Sequence, residues 1–183
     1  IFLNSPVKRV NLSNPSQFHV EIKSEQINKV VDADILISTI PLQSLVTSML
    51  PSPDKKMIRN VNTLKSMGLI VVCLVVEKTD VLPTSYLYCF DRIYHRLTEY
   101  NKFSEKLSPE NENIISAEIS CYEGDENWIK SENELSELCA NHLIKDGYIE
   151  KRQIKKTYVL KSNNVYPVYL LGYREPLKKI NKL

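Results

Sequence analysis

An α+β fold, with a mixed or antiparallel sheet and flanking helices, is predicted by three features of the sequence. Apolar and polar residues alternate over several short stretches, the mark of half-buried strands. Only a few stretches place apolar residues at helical spacing. The elements run as strands, two helices, several strands, one helix and strands again, which is not the strict strand–helix alternation of a parallel doubly wound sheet. At 183 residues the chain has the length of one ordinary domain, or of one domain plus a piece of a second. Its 43% hydrophobic and 25% charged residues are compatible with a packed core and argue against disorder.

The first forty residues read as strands and turns. Val7 to Leu12 is short and β-rich, and Asn14-Pro15-Ser16 breaks it. Phe18 to Ile22 alternates, and Gln26 to Val31 completes a meander. Ala33-Asp34-Ile35-Leu36-Ile37-Ser38-Thr39 predicts a compact strand buried on both faces of a parallel sheet. Pro41 suits the first turn of a helix, and Leu42, Leu45, Val46, Met49 and Leu50 then follow helical spacing. A strand, a tight turn and a helix N-terminus in succession direct backbone N–H groups toward a place where anions can bind, although many such turns bind nothing. A second helix is expected from Pro53 to Leu64, capped by Ser52, with Met57, Val61 and Leu64 inward.

Leu69 to Val76 is β-branched and apolar, a core strand. After a turn at Pro83 and Thr84, the aromatics Tyr86, Tyr88 and Phe90 share one strand face. In the next alternation Tyr94, Arg96, Thr98 and Tyr100 share a face, opposite His95, Leu97 and Glu99. Asn101 to Asn113 is a polar loop, and Ile115 to Cys121 a half-buried strand. The clearest helix starts at Ser131, which forms a capping box with Glu134. Leu135, Leu138, Cys139, His142 and Leu143 form its apolar stripe and Gly147 ends it. His142 within that stripe reads as a packed rather than a catalytic histidine. Ile154 to Leu160 is a strand, Val165 to Tyr169 a short extended piece that Pro167 places at an edge or bend, and a helix in which the chain ends starts near Tyr173.

Composition removes several classes of function. A net charge of +2, from 24 Lys and Arg against 22 Asp and Glu, gives no electrostatic case for nucleic acid. The longest apolar run, Leu69 to Val76, falls far short of the roughly 20 residues of a bilayer span. Cys73, Cys89, Cys121 and Cys139 form no paired metal motif. Buried reduced thiols are expected, which fits a reducing, cytoplasmic setting, although four cysteines could also form two disulfides. His19, His95 and His142 show no metal-ligand spacing. With only four glycines, the chain contains neither GxGxxG nor GxxxxGK[ST], so it carries no phosphate-cradling glycine loop. No signal peptide opens the sequence, and its start at Ile1 without a methionine suggests a segment of a longer protein. No GxSxG and no nucleophile–histidine pair supports a hydrolase.

The order of local patterns resembles the middle of the FAD-dependent amine-oxidoreductase superfamily, which includes protoporphyrinogen oxidase, monoamine oxidase, phytoene desaturase and UDP-galactopyranose mutase. Val7-Lys8-Arg9-Val10, the hairpin and Ala33 to Leu42 resemble its V-x-x-I strand, meander and A-D-x-V-I-x-T-x-P-L segment. His95 to Ser104 resembles the R-x-x-E-x-K-x-F segment of the mutase-like branch. Val165 to Tyr169 with Gly172-Tyr173 resembles its Y-P-x-Y…G-Y segment. The resemblance runs through nearly the whole chain in order. The superfamily's dinucleotide glycine motif and its second flavin-contacting glycine segment are both absent from this sequence.

The resemblance implies a β-meander remnant of a Rossmann-like FAD domain at residues 1–42, and a substrate-binding domain at 43–183 truncated in its last helix. It implies FAD in the full-length parent but not in this fragment, which would lack the N- and C-terminal parts of its own FAD domain. The main chain of Val7, and the turn Ser38, Thr39, Ile40 and Pro41, would approach the cofactor. Arg96 would grip a phosphate or carboxylate in bidentate fashion, with Tyr94, Tyr86, Tyr88, Tyr166 and Tyr169 lining the cleft. The structural alternative pairs Arg96 with Glu118 or Glu99. A small molecule, first of all a nucleotide-sugar or glycan precursor of polysaccharide biosynthesis, is the implied substrate. No catalytic side chain is assigned, because flavin would carry the chemistry. The rivals are a non-enzymatic α+β module that binds an anion or protein through its tyrosine-rich face, and a flavin-free scaffolding relative.

Overall fold

A computed structural model describes residues 2–14, 16–25 and 27–180. Pro15 of the expected break, Gln26 of the third strand and the end of the last helix lie outside the described residues. Among those described, the α+β expectation holds, with two sheets, one mixed and one antiparallel. The chain divides into two compact units, 1–65 with 167–183, and 66–166.

In the first unit β1 (Val7–Asn11), β2 (Phe18–Lys23) and β3 (Asn28–Ala33) form the expected antiparallel meander, with Val10, Val20 and Val31 in register. A short β4 (Met49–Leu50) adds to β1 in parallel. The predicted strand Ala33–Thr39 is a correction. β3 ends at Ala33, residues 35–39 have no regular structure, and Ile35 and Ile37 are 78% and 84% exposed. Among the described residues no strand offers this segment a hydrogen-bond ladder, so its apolar side chains stay bare.

Helix α1 (Leu42–Ser48) is shorter than its apolar spacing implied. Met49 and Leu50 are extended instead, since a residue before proline, here Pro51, is disfavoured in helical conformation. With seven residues α1 offers little aligned dipole, so the anion-binding turn gains no support. Helix α2 (Lys55–Asn62) is capped by Asp54, not Ser52: the Asp54 carboxylate accepts the Met57 N–H at 2.7 Å. Val46 of α1, Val61 of α2 and Ile180 of α5 (Arg174–Ile180) make a small core with Leu42, Met57, Ile58 and Leu64.

The second unit is built on β5 (Lys65–Val76), β6 (Tyr86–Tyr88), β7 (Arg96–Glu99), β8 (Asn113–Cys121) and β9 (Ile154–Val168), in the order β6-β7-β8-β5-β9. β5 alternates strictly: Ile70, Val72, Leu74 and Val76 are fully buried, while Val71, Cys73 and Val75 look the other way, half-buried. Gly68 is required where it stands. A side chain there would come within 3.0 Å of the Trp128 ring and 3.1 Å of the Ser162 carbonyl. β8 was expected to be half-buried. It lies between β7 and β5, and its polar residues Ser116 and Glu118 are buried too. The two extended pieces expected near the end form one continuous β9, interrupted by Asn164 at positive φ.

Two helices follow β8. The short α3 (Glu126–Ile129) was not foreseen, whereas α4 (Glu132–Lys145) has the expected capping box, Ser131 with Glu134. α4 presses Leu135, Cys139 and Leu143 onto the sheet, and Gly147 ends it at φ +77°. All four cysteines are free. Cys139, fully enclosed, has its thiol pKa pushed up to about 12 by burial, which keeps it protonated and inert. Among the described residues no three His, Cys, Asp or Glu could hold a metal, and no helix is long and apolar enough to cross a membrane.

Candidate functional site

The five-stranded sheet has a core face, covered by α4, and a second face whose composition follows from strand register. Tyr88 pairs with Arg96, Arg96 with Glu118, and Glu118 with Val71. The next row is Tyr86, Thr98, Ser116 and Cys73. Because side chains alternate, these two rows project on one side, while Leu87, Leu97, Ala117 and Val72 project into the core. Tyr86 and Tyr88 are exposed on the edge strand, their rings edge-to-face with centroids 5.9 Å apart.

At the centre of this face Arg96 donates Nε–H and Nη2–H to the two carboxylate oxygens of Glu118, at 2.9 and 2.7 Å. Glu118 is 7% exposed. The structural alternative for Arg96 is therefore the contact it makes. Glu118 holds the guanidinium charged above its ordinary pKa, and Tyr88 and the nearby Tyr166 act in the same direction. Ser116, buried one pair along β8, makes no side-chain hydrogen bond among the described residues.

Of the six substrate residues expected, the structure brings together Tyr86, Tyr88, Arg96 and Tyr166. Tyr94 does not join them. β7 begins only at Arg96, so the alternation does not extend back through the bent segment before it. Tyr94 is fully buried in the core against the ring of His142, with centroids 5.8 Å apart, and burial pushes its hydroxyl pKa up. That contact accounts for His142 as a packed histidine. Tyr169 belongs to the first unit and stacks on Tyr173 at 4.8 Å.

The same bend brings in a residue that the alternation put on the wrong side. The His95 Nδ1 lies 3.3 Å from Ser120 Oγ, on the Glu118 side of β8, and its backbone N–H donates to the Glu118 carbonyl at 2.9 Å. Burial lowers the pKa of the ring below its ordinary 6.5, and Glu118 opposes this only in part. No periodicity could have revealed this, since the residue sits outside regular structure.

The proposed cofactor residues lie in the first unit. Val7 opens β1 and is half-exposed, Ser38, Thr39 and Ile40 are exposed in the irregular segment after β3, and Pro41 is the N-cap of α1.

No family model and no curated protein matches the sequence. Among solved structures the chain is similar to a reduced UDP-galactopyranose mutase, at 17% identity and a TM-score of 0.69, over 95% of this chain and 37% of that one. It is similar to an oxidoreductase from Methanosarcina mazei at 17% identity and a TM-score of 0.60, over 89% and 38%. Putrescine oxidase bound to putrescine gives 16% and 0.56, over 86% and 34%. These neighbours are, by name, a mutase, an oxidoreductase and an amine-type oxidase, and what they share with this chain is the fold. The chain spans less than two fifths of the length of each.

Proposed function

We propose that the chain is the substrate-binding portion of a flavin-dependent oxidoreductase or mutase that acts on a small molecule. The observation that carries this is the shared fold over 95% of the chain with the mutase. The superfamily-like motifs lie in the same order along it.

The residues present fit a partial FAD site. The irregular segment 34–40 offers Ile35 and Ile37 bare to solvent, and Val7, at the start of β1, is half-exposed. Surfaces of this kind suit a nucleotide-binding sheet that needs further strands. Val7, through its main chain, and Ser38, Thr39, Ile40 and Pro41 would stand along one side of FAD. FAD, when bound, supplies the electron or hydride transfer. The chain's own contribution is to bind and orient: Tyr86, Tyr88 and Tyr166 give flat contact area with hydroxyls, and Arg96 gives fixed N–H donors. Residues 1–42 are proposed as part of the cofactor domain and 43–183 as the substrate domain. The substrate proposed is a nucleotide-sugar or glycan precursor, on the strength of the Arg96–Glu99 segment, and the setting is cytoplasmic. Without a glycine loop the 183 residues alone should neither retain FAD nor turn over.

The test is a visible absorption spectrum of the purified 183-residue chain and of the whole protein. The expected result is a colourless chain and a yellow whole protein. Stoichiometric flavin on the chain alone would overturn the fragment reading. A whole protein that takes up no flavin would favour the non-enzymatic binding module.

A further inference from the structure

We propose that His95 is a charge gate on the Arg96 face. Neutral, it leaves the Arg96–Glu118 pair electrically closed; protonated, it converts the face into an anion-binding site. The inference rests on the flavoprotein reading and adds to it the condition under which its site accepts an anionic substrate.

The geometry is a cluster of three titratable groups. Arg96 and Glu118 are locked in a two-point ion pair at 2.9 and 2.7 Å, so their charges cancel at short range. A phosphate arriving at this face meets Tyr88, Tyr86 and Thr98 and no net charge from the pair. Among the described residues, His95 is a neighbour that can change that count. Its ring sits 3.3 Å from Ser120 Oγ, and Ser120 lies two residues beyond Glu118 on the same side of β8. The charged groups that face the ring are Glu118 from β8 and Arg96 from the start of β7. Glu118 attracts a proton to the ring, and Arg96 and burial repel it.

The sign follows from the direction of the shift. Because the ring's pKa lies below 6.5, the ring is neutral at pH 7 and gains its proton only as the pH falls. The cluster then carries one net positive charge, and His95 competes with Arg96 for Glu118, which leaves guanidinium N–H groups for a ligand. By linkage, a bound anion must in turn raise the pKa of the ring by the factor by which protonation tightens the anion.

The probe is a nucleoside-diphosphate sugar, whose esterified phosphates do not titrate between about pH 5 and pH 8. Calorimetry on the whole protein should show binding about tenfold tighter at the acid end of that range, with His95→Gln flat. NMR of the wild-type ring should show its pKa rise when the probe is added, a readout that survives even if the variant fails to fold. Binding that is equally tight at both ends, a slope that persists in His95→Gln, or a ring pKa indifferent to the probe would each overturn the gate. In those cases the anionic substrate would stand, because binding itself is seen, and only the gate would fall. Absence of binding at every pH would overturn the gate and the anionic substrate together, while the flavin spectrum would still decide the flavoprotein reading.

Discussion

Replacing Glu99 with alanine should unfold the second unit at a markedly lower temperature. Glu99 is 1% exposed, and its two carboxylate oxygens collect three N–H groups: the backbone of Val81 at 3.1 Å, the backbone of Leu82 at 2.6 Å and the Asn113 side chain at 2.5 Å. Val81 and Leu82 are themselves buried in the core, on a loop that no strand holds. Alanine would leave these donors without acceptors in a place water does not reach. Each buried donor so orphaned costs about 1–3 kcal/mol, and the sum should be roughly 4 kcal/mol. In a chain of this size that lowers Tm by about 10 °C or more. Glu99→Gln keeps one good acceptor oxygen and should lose roughly half as much. Thermal unfolding followed by circular dichroism measures both, and a loss of less than about 2 °C for the alanine variant would show that the loop is held by other contacts.

Arg96→Met should cost about 2–3 kcal/mol in urea unfolding, because it leaves the largely buried Glu118 carboxylate without its partner. Arg96 itself keeps about a third of its side chain in solvent, which holds the figure below that of a fully enclosed pair. Adding Glu118→Leu should recover most of the loss, since two apolar side chains of similar bulk replace a pair whose desolvation nearly offsets its attraction. The double variant separates two roles that the wild type combines. If Arg96 only anchors Glu118, the repaired protein should bind substrate as before. If Arg96 also grips substrate, stability should return and binding should not.

Much of the fold was legible because its signals are local. The β-branched apolar run Leu69–Val76, the Ser131–Glu134 box and Gly147 after the helix each specify structure without reference to distant residues. What could not be read depended on partners. Ala33–Thr39 has the composition of a buried strand, but a strand exists only where another offers its backbone. Met49 and Leu50 fit a helical stripe until Pro51 and the neighbouring β1 draw them into extended form. In the candidate site, the Tyr86 and Tyr88 face followed from alternation alone. Tyr94 and His95 were exchanged because periodicity was extended through a bend.

The bare stretch from Asp34 to Ile40 has a practical consequence. An exposed apolar segment that pairs with no strand among the described residues is a place on which another chain can lay down its own backbone. Handled by itself, this polypeptide should clump through that segment at high concentration, and a charged residue in place of Ile35 or Ile37 should keep it dispersed.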